Sequence, residues 1–230
     1  MSIYYFIIIG TIVGYLLGSI SYSLLISKIF FKTNLNKCGS GNLGSANVGR
    51  TLGPLAGVIV MLLDLLKAGL PAFIMYKIAE NNITLTEESV LLPIVFFATG
   101  LAACIGHCYS CYAKFKGGKA VAPVAGLLIF MNYRLALVAF VTYLIVFLIF
   151  KIISVSSISS AISTMIASLF TFFNKCYLFN NVFESNVTVI FYHIFIFMLG
   201  ALLIFRHIPN IKRLIKGEEK KFAFGHRNKK

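Results

Sequence analysis

Charge is scarce in this chain, and negative charge scarcer still. Of 230 residues only 12% are charged, and only seven are Asp or Glu. Soluble domains carry about a quarter charged residues, so a surface wetted on all sides is excluded. The N-terminus lacks a basic start, so no removable signal peptide is expected, and the first apolar run is long enough to stay as an anchor. There is no G-x-S-x-G elbow to mark a serine nucleophile. There is no Walker A loop, because no Lys-Ser/Thr follows the glycines near residue 40. Cys104, Cys108 and Cys111 lie near His107, but no second ligand pair stands at zinc spacing. They read as small apolar cysteines. No acidic cluster suggests a bound cation, and neither repeats nor a linker divide the chain. One domain is expected over 1–230.

What is present is grease. Hydrophobic residues make up 59%, and the mean hydropathy is +0.89. A spanning helix needs about 20 apolar residues. Apolar runs stand at about 3–27, 55–79, 91–106, 120–132, 134–150, 158–173 and 187–205. The fourth and fifth are split by "NYR" at 132–134, as two helices with a tight turn or one broken span. An all-α integral membrane bundle of about seven transmembrane helices is expected, with five or six as alternatives.

Positive charge orients the bundle. Lys28, Lys32, Lys37 and Arg50 follow the first run, and Lys114, Lys116 and Lys119 follow the third, whereas "ENNITLTEE" after the second is acidic. The tail, about 206–230, carries nine Lys/Arg against two Glu. With seven spans the basic segments share the cytosolic side, the N-terminus lies outside and the C-terminus inside. A basic tail beside a membrane helix fits anionic lipid headgroups rather than nucleic acid.

Four polar segments then meet on one face. In "CGSGNLGSANVGR", 38–50, the glycines free backbone N–H groups to face an anion. Ser40, Gly41, Asn42, Gly44, Ser45 and Asn47 offer donors, and Arg50 offers a phosphate fork. "KFKGGK" sets Lys116 and Lys119 around Gly117 and Gly118, a second phosphate contact. "SVSSISS", 154–160, offers hydroxyls or caps. "RHIPN" puts His207 and Asn210 three apart, on one helical face, with Pro209 in a first turn. Within the second run, Asp64 and Lys67 stand roughly 15 Å deep, as a functional pair or as a packing salt bridge.

These segments, in this order, resemble the bacterial acyl-phosphate:glycerol-3-phosphate acyltransferases from Gly18 to about Lys221. The resemblance implies a seven-helix bacterial inner-membrane enzyme of phospholipid synthesis with its motifs facing the cytosol. It implies acyl transfer from acyl phosphate to the 1-hydroxyl of sn-glycerol 3-phosphate, giving lysophosphatidic acid and inorganic phosphate. It implies no cofactor, and makes the upstream producer of acyl phosphate a candidate partner. Functional positions fall on Ser40, Arg50, Lys119, Ser154 or Ser157, His207 and Asn210, with Asp64, Lys67, His107 and Glu218 in support. Ser21, Ala46, Ala68, Ser110, Ala120 and Pro123 depart from the expected pattern, as does "GEE" for "GTE". The H-x4-D box of other glycerolipid acyltransferases is missing: Tyr112 stands five positions after His107. A protein nucleophile is not required, since acyl phosphate is already activated. The proton acceptor is either His207 or the phosphate of glycerol 3-phosphate. Rival readings are a transporter of a phosphorylated metabolite, disfavoured by the lack of an inverted repeat, and a lipid-gripping scaffold.

Overall fold

The computed structural model describes residues 2–83, 90–174, 178–179 and 186–222. Among these, the chain forms helices and no strand. In order they are α1 (Ile3–Gly18), α2 (Tyr22–Ile29), α3 (Ser45–Leu52), α4 (Pro54–Asn82), α5 (Leu92–Cys108), α6 (Val121–Met131), α7 (Tyr133–Phe150), α8 (Ile153–Ser168), α9 (Thr171–Asn174), α10 (Asn186–Arg206) and α11 (Ile208–Ile215). Among the described residues, five stretches are long and apolar enough to cross a membrane: Ile3–Phe31, Pro54–Asn82, Leu92–Ala113, Tyr133–Phe150 and Asn186–Arg206. Two apolar helices, α6 and α8, are shorter. The protein is a multi-pass membrane protein.

Helix packing follows residue size. Gly10, Gly14 and Gly18 recur every four residues along α1, and all three are buried. A Cβ at Gly14 or Gly18 would collide with the backbone at Thr99 or Ala103 of α5. Gly69 of α4 and Gly126 of α6 repeat this close approach. In lipid, where helix association rests on close van der Waals contact, small residues are what bring backbones together. At the end away from the polar loops, Tyr76, Phe96, Phe97, Phe179 and Phe195 form the aromatic core; the Phe97 and Phe195 rings stack at 4.6 Å. By contrast α7 fully buries only Leu135; Ala136, Val138 and Ala139 are half-buried against the core, and Leu137, Phe140, Leu144 and Leu148 are exposed as a lipid-facing side.

The joints refine the sequence reading. The first apolar run is two helices, broken at Ser19–Ser21. "NYR" is a one-residue joint between two helices. Asn132 is fully buried, and its Oδ1 accepts from the N–H groups of Arg134 and Leu135, capping α7. Its Nδ2 donates to Phe173 O (2.6 Å) and to the Tyr192 hydroxyl (3.0 Å). The "SVSSISS" serines lie inside α8 rather than ahead of an apolar helix starting at 158. Ser156 and Ser157 donate back to the carbonyls of Ile152 and Ile153, which hides their polarity and lets the helix begin five residues early.

Candidate active site

The polar face is built from two loops and from a third wall that includes the returning tail. In the first loop Asn47 is the organiser. It is buried, its Oδ1 accepts from Ser40 N–H (2.8 Å), and its Nδ2 donates to Cys38 O (3.1 Å). Both ends of this amide hold the glycine loop in shape, so Asn47 acts as scaffold where the sequence suggested a ligand. Gly39 and Gly41 adopt φ of 60° and 69°, the left-handed region that suits glycine. Ser23 Oγ fastens the loop's far end at Leu43 O (2.9 Å). Asn42, Gly44 and Ser45 are half-buried along the loop, and Ser40 and Arg50 are exposed. The Arg50 guanidinium rests 5.5 Å from the Phe222 ring centre.

The second loop presents Lys119. Gly118 N–H donates to His107 O (3.0 Å). The Arg206 guanidinium grips the same turn, donating to Gly118 O (3.1 and 3.0 Å) and Gly117 O (3.4 Å), while stacking on Tyr109 at 4.8 Å. Lys119 is half-buried. Burial, assisted by the charges of Arg213, Arg50 and Arg206, lowers its pKa to about 8 despite the opposing pull of Glu219. Lys116 is exposed outside this turn.

The third wall joins α8, α10, α11 and the tail. Glu219 is its hub. Oε1 accepts from Ser154 Oγ (2.8 Å) and Asn210 Nδ2 (2.6 Å), and Oε2 accepts from Arg213 Nε (2.7 Å). Burial works to raise the Glu219 pKa, but those hydrogen bonds and the Arg213 charge outweigh it and hold the carboxyl below the usual range. The sequence pointed to Glu218, which is exposed; the organising glutamate is its neighbour. Ser154 faces this hub, while Ser157 is spent on its own helix. Asn210 Oδ1 is buried and, among the described residues, has no hydrogen-bond partner.

His207 lies beside Asn210 and is buried. Its Nδ1 meets Leu203 O at 2.8 Å. A carbonyl only accepts, so Nδ1 carries the proton and Nε2 keeps a free lone pair. Burial first, then the Lys119 charge, lowers the imidazole pKa to about 4. The imidazole is therefore neutral at neutral pH.

Beneath these walls lies a second polar group. Lys67 Nζ is 2.8 Å from Asp64 Oδ1 and donates to Ile20 O (2.7 Å). His107 Nδ1 is 3.6 Å from the same carboxylate oxygen. The charges stand deep in α4 because the loops fold down over them; a recess lined by Ser19, Ser21, Leu43, His107 and Gly117 joins them to the polar face. Among the described residues, no three His, Cys, Asp or Glu side chains converge as a metal site.

The cationic walls thus unite Arg50, Lys119, Ser154, His207 and Asn210 from four separate segments. Sequence reasoning missed Arg206, Arg213 and Glu219. Arg206 ends an apolar run, where a cation ordinarily reads as a boundary anchor. The glycerol-3-phosphate acyltransferase family model matches residues 8–217. The chain belongs to that family. Glycerol-3-phosphate acyltransferase of Macrococcus caseolyticus is 36% identical over 215 residues, covering 93% of this chain and 95% of the relative. Glycerol-3-phosphate acyltransferase 2 of Bacillus anthracis is also 36% identical, covering 94% and 99%. The solved structure of the glycerol 3-phosphate form of PlsY (YgiH), an integral membrane glycerol 3-phosphate acyltransferase, superposes with a TM-score of 0.75 at 35% identity. It covers 94% of this chain and 96% of that one. The lysophosphatidic acid form gives 0.72, also at 35% identity, covering 95% and 96%. Membership makes this chain an acyltransferase acting on glycerol 3-phosphate, and the transporter and scaffold readings fall away.

Proposed function

We propose that the chain moves a fatty acyl group from acyl phosphate to the 1-hydroxyl of sn-glycerol 3-phosphate, without a covalent acyl-enzyme. The observation that carries this reading is the charge imbalance of the site. Arg50, Arg206 and Arg213 all stand close enough to Lys119 for their charges to lower its pKa, and among the described residues Glu219 is the carboxylate that opposes them. Two phosphate-bearing substrates repel each other unless cations separate them, and this cluster is suited to that task. PlsY in its glycerol 3-phosphate and lysophosphatidic acid forms supports the acceptor and the product.

In this reading Arg50, Lys119 and the N–H group of Gly44 hold the phosphates, while the N–H groups of Gly41 and Gly118 are spent on Cys38 O and His107 O and shape the two loops. Asn210 Oδ1, an acceptor without a partner among the described residues, takes a glycerol hydroxyl. Fixing two reactants this way accounts for about 7–11 kcal/mol of barrier. The 1-hydroxyl oxygen bonds to the acyl carbon, the acyl C–O bond to phosphate breaks, and inorganic phosphate leaves with that electron pair. The proton passes to phosphate. A phosphate with second pKa near 6, by analogy with phosphorylated side chains, is a stronger base than an imidazole held at about 4. His207 Nε2 accepts a hydrogen bond from the 2-hydroxyl and so orients the glycerol, leaving the 1-hydroxyl proton to face phosphate.

The chain crosses the inner membrane seven times, α6 and α8 included, with the N-terminus outside and the C-terminus and site on the cytosolic side. The positive-inside bias of the loops supports this orientation. The acyl chain enters from the inner leaflet, and phosphates enter from the cytosol, where the enzyme that makes acyl phosphate supplies its product. The test is phosphate release by purified protein given palmitoyl phosphate and glycerol 3-phosphate. Release that requires glycerol 3-phosphate, with lysophosphatidic acid formed and palmitoyl-CoA ignored, is expected. Equal use of palmitoyl-CoA overturns the donor assignment.

A further inference from the structure

We propose that Asp64, Lys67 and His107 are positioning residues that set the Gly117–Lys119 turn against the rest of the phosphate site. The inference rests on the reading of Lys119 as a phosphate contact. Three connections carry it. Asp64 and Lys67 are both buried at the middle of α4, and the lysine is anchored to Ile20 O at the α1–α2 break (2.7 Å). That break is further tied to the second loop, since Ser110 Oγ donates to Ser19 O (2.5 Å). The pair therefore fixes the floor from which both phosphate loops spring.

His107 links the floor to the turn. One face of its ring system, Nδ1, stands 3.6 Å from Asp64 Oδ1, a separation governed by electrostatics rather than by a hydrogen bond. On the other side, Nε2 packs where a side chain on Gly118 would have to go. The His107 carbonyl accepts Gly118 N–H at 3.0 Å. Gly118 is thus held from below by backbone and ring, and from above by Arg206. Lys119, the next residue, inherits its position from that grip. A salt bridge serving packing alone has no reason to place histidine between the carboxylate and the phosphate turn.

A kinetic split separates positioning from packing. Removing one buried partner strands the other charge, so the pair is best removed together as Asp64→Asn with Lys67→Met. In the full-length protein in detergent micelles, this double variant is expected to keep its monodispersity. Its KM for glycerol 3-phosphate should rise about tenfold while kcat changes by less than about threefold, the loss of about 1.4 kcal/mol of binding. Gly118→Ala, which pushes only on the His107 ring, should raise KM in the same way. A folded double variant with wild-type KM overturns the proposal. If the double variant does not fold, Gly118→Ala decides: a raised KM supports positioning and an unchanged KM overturns it. Lys119→Ala runs alongside. Unaltered KM there removes the phosphate-contact reading itself, whereas a raised KM there with normal values in the other variants removes only this inference.

Discussion

Ser154 and Asn210 donate to one and the same oxygen, Glu219 Oε1, at 2.8 and 2.6 Å. The two residues sit on different helices, α8 and α11, and the tail carboxylate is their common tie. Glu219→Ala releases both, together with Arg213. Hydrogen bonds to a charged group contribute about 1.5–3 kcal/mol, so a clear fall in thermal midpoint is expected, read in detergent. Ser154→Ala should lower both stability and turnover. Ser157→Ala and Glu218→Ala should leave both near wild type, because Ser157 bonds only within α8 and Glu218 faces outward. Loss of activity in Ser157→Ala with Ser154→Ala intact would reverse the assignment of the serine.

Arg50→Ala and Lys119→Ala should each lose most turnover while the protein stays folded in membranes. The pH profile adds a sharper test. Lys119 must be charged to hold phosphate, and its pKa lies at about 8 against an ordinary 10.5. The free-enzyme profile, kcat/KM, should therefore decline as pH rises through about 8, and Lys119→Arg should push that limb upward. Stability runs the opposite way. Between about 8 and 10.5 the unfolded chain binds more protons at this site than the folded one. Folding stability from Lys119 accordingly rises with pH across that window, and Lys119→Met should abolish the rise in a pH series of thermal midpoints.

The acid limb identifies the proton acceptor. An imidazole held at about 4 would bring activity down only near that pH. A substrate phosphate would bring it down near 6, by analogy with phosphorylated side chains. The limb is expected near 6 and unmoved in His207→Asn, which should lower the rate without shifting the profile. A limb near 4 that disappears in His207→Asn would make His207 the base.

Ala120 caps the start of α6 with φ of 60° and ψ of 14°, and its side chain is fully buried. Left-handed backbone costs a residue with a Cβ about 1–2 kcal/mol. Part of that is recovered by the lower unfolded-state entropy of alanine. Ala120→Gly should therefore raise stability by about 0.5–1 kcal/mol, seen as a higher midpoint in detergent. A lower midpoint would mean that the buried methyl outweighs the strain.

Much of the site was legible because its chemistry is local. Glycines that bare a backbone, a lysine beside two of them, and a histidine three residues from an asparagine signal themselves in sequence. What was illegible depends on where the chain returns. Nothing near Glu219 tells that Ser154 waits for it rather than for Glu218. Asn47 looks like a ligand from composition, and only its two bonds to Ser40 and Cys38 make it a scaffold. Arg206 is a boundary cation by position until Gly117 and Gly118 are found under its guanidinium. For the bundle, hydropathy located the apolar runs. It blurred the breaks, since Ser19–Ser21 is too short to interrupt a window, and α8's serines hide their hydroxyls against its own carbonyls.

The stripe of Gly10, Gly14 and Gly18 has a consequence for biosynthesis. Its mate is α5, not the next long span, so the first helix enters the bilayer with its bare seam facing lipid. Pairing must wait until Thr99 and Ala103 have been translated and inserted, by which time α4 already lies alongside. At 5–20 residues per second, residue 103 is made several seconds after the start. A bulky substitution at Gly14 would act there, blocking the pairing of α1 with α5 before the second polar loop, which follows α5, can close over the first.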